Sequence, residues 1–234
     1  MGVASHSQQR LVASRAGGLP TMLGQHRHAV AALGAVVVGV LVYGAFVVPW
    51  QRYWGATSEE IRRAMPGDAI VLQRGGTISA TEALTIDAPP EQVWPWLVQM
   101  GVGRAGFYTL TWVENLLGLG VTNADQIIPE LQTLQVGDTV GVRSKEEGAR
   151  VAVLERGRAL TLVDEPTPGY LSTWDFGLYP LDQGHTRLVL RRGETHPDTL
   201  ARALAVVMEP GYFVMDRGML LGLKHRVERG AAQP

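Results

Sequence analysis

The fold of this chain is decided by residues 88–115, which read A-P-P-E-Q-V-W-P-W-L-V-Q-M-G-V-G-R-A-G-F-Y-T-L-T-W-V-E-N. Four apolar residues recur at i, i+3, i+4 and i+7, the spacing of one helical face: Val93, Trp96, Leu97 and Met100. The helix opens at two prolines, which a first turn tolerates, and ends at glycines. Three of the six tryptophans lie in this stretch with Phe107 and Tyr108. Such a composition is typical of a wall facing an apolar pocket.

Residues 101–106, G-V-G-R-A-G, match the G-x-G-x-x-G motif of dinucleotide-binding proteins. That motif binds a pyrophosphate when it follows a buried strand and opens a helix, so that the helix N-terminus meets the phosphates. Here it follows a helix. We therefore reject a nucleotide site and expect these glycines to let the chain reverse.

Composition bounds the possible functions. The 234 residues are 46% hydrophobic and 18% charged, which suits one main domain. A net charge of −1 supplies no positive field for a polyanion, so nucleic-acid binding is not predicted. The chain has no cysteine, which excludes disulfides, thiolate nucleophiles and cysteine-ligated metals and leaves the compartment open.

Residues 29–48 form a charge-free apolar segment of twenty residues. A helix of this length matches a hydrocarbon core of about 30 Å, which predicts a single-pass membrane anchor after a mobile leader at 1–28. A cleaved signal peptide is the alternative, and the sequence Pro49-Trp50-Gln51-Arg52 is a poor cleavage site. Arginines are balanced across the segment, so the side on which the domain lies is undetermined.

The remaining chain alternates short elements with turns. Residues 49–74 form a linker with a short helix that Thr57 and Glu60 cap. Residues 77–86 alternate as a half-buried strand, with Ile78 and Ala80 on the apolar side and Glu82 as its one misfit. A short helix at 110–117 and a segment at 125–131 follow. Five strands at 138–142, 150–155, 159–164, 170–179 and 186–194 then predict an antiparallel meander. A long helix at 198–229 completes an α+β fold.

The sequence lacks the common motifs of metal-dependent, acyl-transfer and phosphoryl-transfer enzymes. The six histidines include no pair at metal-ligand spacing, and there is no G-x-S-x-G or P-loop motif. We therefore predict no metal and no cofactor. Several polar residues stand in apolar surroundings: Arg104, Glu114, Asn115, Asp175, Arg191, Arg192, Glu209 and Asp216. We favour a structural role for these, in which Arg104 or Arg191 pairs with Glu114, Glu209 or Asp216. The alternative is that one or two act on a ligand.

The sequence also resembles a known superfamily. A strand ending in Thr85-Ile86-Asp87-Ala88-Pro89, the following P-E-Q-V-W-P-W-L of residues 90–97, and Glu209 to Met215 of the last helix carry the resemblance. They are similar to the SRPBCC superfamily of START-like and birch-pollen-allergen-like helix-grip proteins, including polyketide cyclase/dehydrase-like and lipid-transport families. The resemblance covers residues 75–229, followed by a tail at 230–234. It implies a curved antiparallel sheet, a long C-terminal helix, and a cavity for an apolar molecule.

These observations predict a bacterial, membrane-tethered module that binds or transfers an apolar small molecule or lipid. One alternative is a cyclase- or dehydratase-like enzyme, with Arg104, Arg191, Glu114 and Asp216 as candidate catalytic residues. A protein-interaction domain is a further alternative. Ten residues are candidates to line the ligand site: Trp96, Met100, Arg104, Phe107, Tyr108, Trp112, Trp174, Phe176, Tyr212 and Met215. Ligand identity and oligomeric state stay open.

Overall fold

The computed structural model describes residues 20–109, 122–182 and 184–231, which form two compact units that divide between Val47 and Val48. In the first unit, helix α1 spans Pro20–Val42 and is followed by a π-helical turn, Tyr43–Val47. Apolar side chains along it are exposed, for example Val30 at 71% and Phe46 at 71%. The helical stretch Val30–Arg52 has a mean hydropathy of 2.5 and is long and apolar enough to cross a membrane. A signal sequence has the same properties.

The second unit contains several short helices before its sheet and within its connections. Helix α2 spans Val48–Arg52, α3 Ser58–Arg62, α4 Asp68–Leu72 and α5 Pro90–Val98, and a 3-10 turn spans Pro129–Leu131. The predicted capping box is confirmed: the Thr57 hydroxyl accepts from the backbone N–H of Glu60, and the Glu60 carboxylate accepts from that of Thr57. The predicted helix at 110–117 lies outside the described residues.

A curved, six-stranded antiparallel sheet forms the centre of the second unit. Its strands are β1 Thr77–Ile86, β2 Thr139–Gly141, β3 Gly148–Glu155, β4 Ala159–Asp164, β5 Ser172–Pro180 and β6 Thr186–Glu194. The order is β1-β6-β5-β4-β3-β2, so β2 to β6 form the predicted meander and β1 closes onto β6. The α+β prediction is thereby confirmed.

The long C-terminal helix α6, Thr199–Ala231, packs on one face of this sheet, which we call the α6 face. Leu220 and Leu223 of α6 share a buried cluster with Leu188 and Leu190 of β6 and with Phe176 of β5. Helices α3 and α4 pack on the other face, called the outer face, where Val71 contacts Val163 and Leu171. Both sides of the central strands are therefore buried.

A β-bulge interrupts β1 between Ile78 and Ala80. The extra residue is Ser79, and it changes the side to which the preceding residue points. Ile78 consequently packs with Val71 and Val163 on the outer face, so the prediction that it shares a face with Ala80 is wrong. Alternation alone cannot locate such a bulge, because a bulge is recognised from the partner strand.

Candidate functional site

A cavity of about 400 Å³ opens on the α6 face, next to the strand ends around Ser79 and Glu194. Strand pairing explains its composition. Directly opposed residues of an antiparallel pair face the same side, so Leu162 of β4, Trp174 of β5 and Arg192 of β6, which stand in line across the sheet, point toward the helix together. The volume lies within the range of about 300–1,000 Å³ typical of small-molecule sites.

The wall of the cavity is largely apolar and its rim is polar. The lining residues are Ser79, Val142, Arg143, Ala149, Leu162, Asp164, Pro166, Tyr170, Ser172, Thr173, Trp174, Arg192, Gly193, Glu194 and Tyr212. On the wall, the Trp174 ring meets Phe107 edge to face at 5.7 Å between centroids. On the rim, Arg143 is paired with Asp164, with 2.5 Å between Nη1 and Oδ2.

A buried cluster of charged side chains borders the cavity at Arg192, which is 6% exposed. The Arg192 Nη2 atom lies 2.8 Å from Oε1 of Glu209, and its Nε lies 2.6 Å from Oδ2 of Asp216. Arg52 of α2 approaches Glu209 from the other side, with 3.4 Å between Nε and Oε2. Separating α2, β6 and α6 would leave a buried charge without its partner, which is costly. The cluster therefore holds these three elements together.

Glu82 lies in the same region, on the α6 face of β1. Its side chain is 1% exposed, and neither carboxyl oxygen has a hydrogen-bond partner among the described residues. Burial, reinforced by the Asp216 charge, raises the pKa of Glu82 to about 9, so the protonated form prevails at neutral pH. Burial also raises the pKa of Asp216 to about 6, against the attraction of Arg192. Glu82 is the misfit of the β1 pattern.

Arg191 belongs to a different cluster, on the outer face. Its guanidinium lies 2.7 Å from Oδ2 of Asp68 and donates to the backbone carbonyls of Glu60, Ile61 and Arg63. The prediction that Arg191 pairs with Glu209 or Asp216 is therefore wrong, and Arg192 makes those contacts. Consecutive strand residues face opposite sides, which separates the two arginines.

Arg104 holds the turn that follows α5. Its guanidinium donates to the backbone carbonyls of Val98, Met100 and Leu131, and burial lowers its pKa. The three glycines of the G-x-G-x-x-G motif have positive φ angles, and residues 101 and 106 form a β-bridge. This geometry reverses the chain, as expected from the sequence.

Tyr108 closes the same turn from inside the core. Its hydroxyl donates to the carbonyl of Trp96 at 2.9 Å, and the two rings meet edge to face at 5.7 Å between centroids. Tyr108 has a φ angle of 62°, in the left-handed region. Its amide N–H donates to the side-chain oxygen of Asn123, which helps to hold this conformation.

The candidate ligand residues of the sequence are thus placed in three ways. Trp174 and Tyr212 line the cavity. Most of the others are buried in the core or half-buried beside it: Trp96, Met100, Arg104, Phe107, Tyr108, Phe176 and Met215. Trp112 and the catalytic candidate Glu114 lie outside the described residues. Asp216 faces Arg192 and is absent from the described lining residues.

Sequence reasoning missed Ser79, Leu162, Tyr170 and Ser172 as lining residues. Strand register is the signal for two of them: Leu162 stands opposite Trp174, and Ser172 stands two residues before Trp174 on the same side of β5. Ser79 is the bulge residue and Tyr170 lies before β5, so alternation does not reveal either of them. Within the described parts of the chain, no group of three or more histidine and carboxylate residues is placed to hold a metal ion.

Comparisons with known proteins find similarity only at the level of solved structures. No family model matches the chain. No curated protein matches it either. Protein CV1439 from Chromobacterium violaceum is 15% identical, with a TM-score of 0.38 over 63% of this chain and 96% of that one. The Zhui aromatase/cyclase from Streptomyces sp. R1128 is 16% identical, with a TM-score of 0.35 over 66% and 95%. The Aha1 dimer from Colwellia psychrerythraea is 17% identical, with a TM-score of 0.36 over 64% and 96%. At these identities and TM-scores, the similarities carry no argument about function.

Proposed function

We propose that this protein is a membrane-tethered module that holds a small apolar molecule in the cavity on the α6 face. The observation that carries the proposal is the cavity of about 400 Å³, walled by Val142, Ala149, Leu162 and Trp174. An apolar ligand gains about 25 cal/mol for each Å² of its surface that such a wall removes from water. The apolar helical stretch Val30–Arg52, which has no charged residue before Arg52, supports the tether, since it would hold the cavity near a lipid source.

The polar groups at the cavity suit a ligand with one polar end. Arg192 reaches the cavity, but its charge is already opposed by Glu209 and Asp216. Burial would lower the pKa of Arg192, and the charges of Asp216 and Glu209 outweigh that effect, so it stays ionised. Its remaining donors and the Tyr212 hydroxyl suit a neutral acceptor, such as a carbonyl or hydroxyl oxygen, better than a second anion.

The cyclase- or dehydratase-like alternative needs an acid or base facing the ligand. Asp216 is held by Arg192 on the cluster side. The described carboxylates at the cavity are Asp164 and Glu194, of which Asp164 is paired with Arg143 and Glu194 lies 3.7 Å from His196. Binding is therefore the function that this geometry supports best.

The test is native mass spectrometry of the full chain, extracted from its membrane in a mild detergent. We expect an added mass from a copurified apolar molecule and its loss in a Ser172→Phe variant, which fills the cavity. Ser58→Phe is the matched control, because Ser58 is exposed at the start of α3, on the outer face. An unloaded wild-type protein that takes up no added lipid contradicts the proposal, as does equal loading of both variants.

A further inference from the structure

The first half of α6 has an apolar face that the described protein leaves uncovered. Its side chains are exposed to unusual extents for apolar residues: Leu200 68%, Leu204 55%, Val207 72%, Met208 55% and Val214 47%. At about 100° per residue, these positions fall within a sector of about 120°. We call these five residues the apolar stripe.

The stripe lies opposite the buried face of the same helix. Glu209, Phe213 and Asp216 are buried and project about 180° from the stripe, given the helical repeat. Arg202 and Glu209, the charged residues between Leu200 and Val214, fall outside the stripe. A water-facing side of a helix normally carries charged or polar residues, so an uncharged stripe of this length indicates a partner surface.

Aromatic residues stand in α2 and in the turn that follows it, and two of them contact α6. Trp50 is 57% exposed and Tyr53 is 41% exposed. The Trp50 ring packs on Phe213 at 5.1 Å between centroids, and Trp54 meets the same ring at 6.4 Å. Exposed tryptophan and tyrosine are the residues that proteins place at the boundary between lipid and water.

Chain connectivity relates these aromatics to the apolar helical stretch. Trp50 follows Val47 by three residues, which span at most about 11 Å even when fully extended. If residues 29–48 cross a bilayer, Trp50 must therefore lie at or near its surface. Phe213 contacts Trp50, and the stripe extends from Phe213 by about 20 Å along α6, at 1.5 Å per residue.

We propose that the apolar stripe, together with Trp50 and Tyr53, rests in the interfacial layer of the bilayer that holds the N-terminal helix. This inference rests on the membrane tether of the proposed function. The occupant is the lipid itself, because the stripe offers apolar side chains without charge and the adjoining chain leads into the membrane segment. An interfacial helix buries such a face about 5–10 Å into the boundary between headgroups and acyl chains.

The contact gives the cavity a short route to lipid. Tyr212 is 39% exposed and lies on α6 between the stripe and its buried face. The same residue lines the cavity, and Arg192 lies over its ring, with Cζ 5.0 Å from the centroid. An apolar molecule could pass from the interface to the cavity beside Tyr212 without crossing bulk water.

The test uses single spin labels on the full chain in phosphatidylcholine vesicles. Because the protein has no cysteine, each introduced cysteine is a unique labelling site. Leu204→Cys and Val207→Cys report on the stripe. Val38→Cys is the reference for the apolar helix, and Leu181→Cys, at an exposed position after β5, is the reference for water. Label collisions are measured with oxygen, which concentrates in lipid, and with a water-soluble nickel chelate.

We expect the oxygen-to-nickel ratio at positions 204 and 207 to approach that at position 38 and to exceed that at position 181 several-fold. A ratio equal to that at position 181 places the stripe in water and overturns the proposal. Low accessibility to both reagents means that protein covers the stripe, which also overturns it. Spin–spin broadening in that case identifies a second copy as the covering protein.

The outcomes separate this inference from the cavity function. Lipid-exposed labels in a protein without a copurified ligand would retain the interfacial contact and reject the binding function. A ligand-loaded protein with water-exposed labels at positions 204 and 207 would retain the binding function and reject the interfacial contact. A water-exposed label at position 38 would remove the tether, and the interfacial contact with it.

Discussion

Arg191 and Arg192 are neighbours in the sequence with different tasks. Arg191 fastens α3 and α4 to the outer face through Asp68 and three backbone carbonyls. Arg192 fastens α6 to the other face through Glu209 and Asp216 and also reaches the cavity. The alternation of strand side chains assigns these roles, because consecutive residues of β6 point to opposite faces of the sheet.

Glu82→Gln tests the protonation of the buried carboxyl. The pKa of Glu82 rises from its ordinary 4.5 to about 9 in the folded protein. Between these values the folded state holds a proton that the unfolded state has lost, so this group's contribution is complete below pH 4.5 and declines as the pH rises toward 9. The glutamine variant lacks this decline. As the pH rises from 4.5 to 9, its free energy of unfolding relative to that of wild type should therefore increase by up to about 1.4 kcal/mol per pH unit.

Chemical denaturation of the full chain in detergent, followed by tryptophan fluorescence between pH 5 and 9, measures this difference. Glu130→Gln is the control, because Glu130 is exposed. A difference between Glu82→Gln and wild type that does not change with pH would mean that Glu82 is already ionised in the folded protein. The raised pKa of Asp216, about 6, adds a slope of the same sign to both proteins and cancels in the comparison.

Helix α6 shows how one element is fitted to several neighbours. Its buried charges face the sheet, its uncovered stripe faces away, and its C-terminal half is crossed closely by the turn at Tyr108. The crossing depends on Gly222: a Cβ atom there would lie 1.8 Å from the Tyr108 carbonyl oxygen. At Gly218 the nearest atom, Cβ of Thr109, would be 3.7 Å away, an ordinary contact.

Two alanine substitutions in α6 should therefore have opposite effects. Gly222→Ala forces the turn and the helix apart, and we expect a loss of about 1–3 kcal/mol in the free energy of unfolding. Gly218→Ala removes backbone freedom without a clash and should stabilise the helix by up to about 1 kcal/mol. Equilibrium denaturation in the same detergent measures both. Equal effects at the two positions would show that the turn does not lie against the helix at residue 222.

At the scale of the whole molecule, the decisive question is whether the N-terminal helix is an anchor or a cleaved signal. The membrane anchor predicts an intact chain, from its first residue, in the membrane fraction after alkaline carbonate extraction. Val38→Arg should reduce that fraction, because a central arginine costs about 2.5–3.5 kcal/mol on insertion scales. Val136→Arg is the control, since Val136 is already 60% exposed in the second unit.

Mass spectrometry of the extracted protein identifies its N-terminus. A soluble product that begins after residue 48 would contradict the anchor and indicate a signal sequence. This result would also remove the basis for the interfacial contact, while the cavity and its binding test would be unaffected.

The sequence by itself determined the strands of the sheet and the helices α5 and α6, but not the short helices α2 and α4. Period-two alternation predicted β1, and short runs between turn sequences predicted β4 and β6, all with the bounds that the structure shows. Helical spacing predicted α5 and α6 to within two residues at each end. Residues 57–60 predicted the capping box, because such signals lie within a few residues of one another. Glu82 was already visible as a polar residue on an apolar strand face.

Only the tertiary structure decided which of these residues meet. It assigned Arg192 rather than Arg191 to the carboxylates of α6, moved Ile78 across the sheet through a bulge, and brought Ser79, Leu162 and Ser172 to one cavity with Trp174. It also placed Arg104 on backbone carbonyls. Local spacing fixes the side to which a residue points, whereas its partner depends on strand register and helix packing, which join residues far apart in the chain.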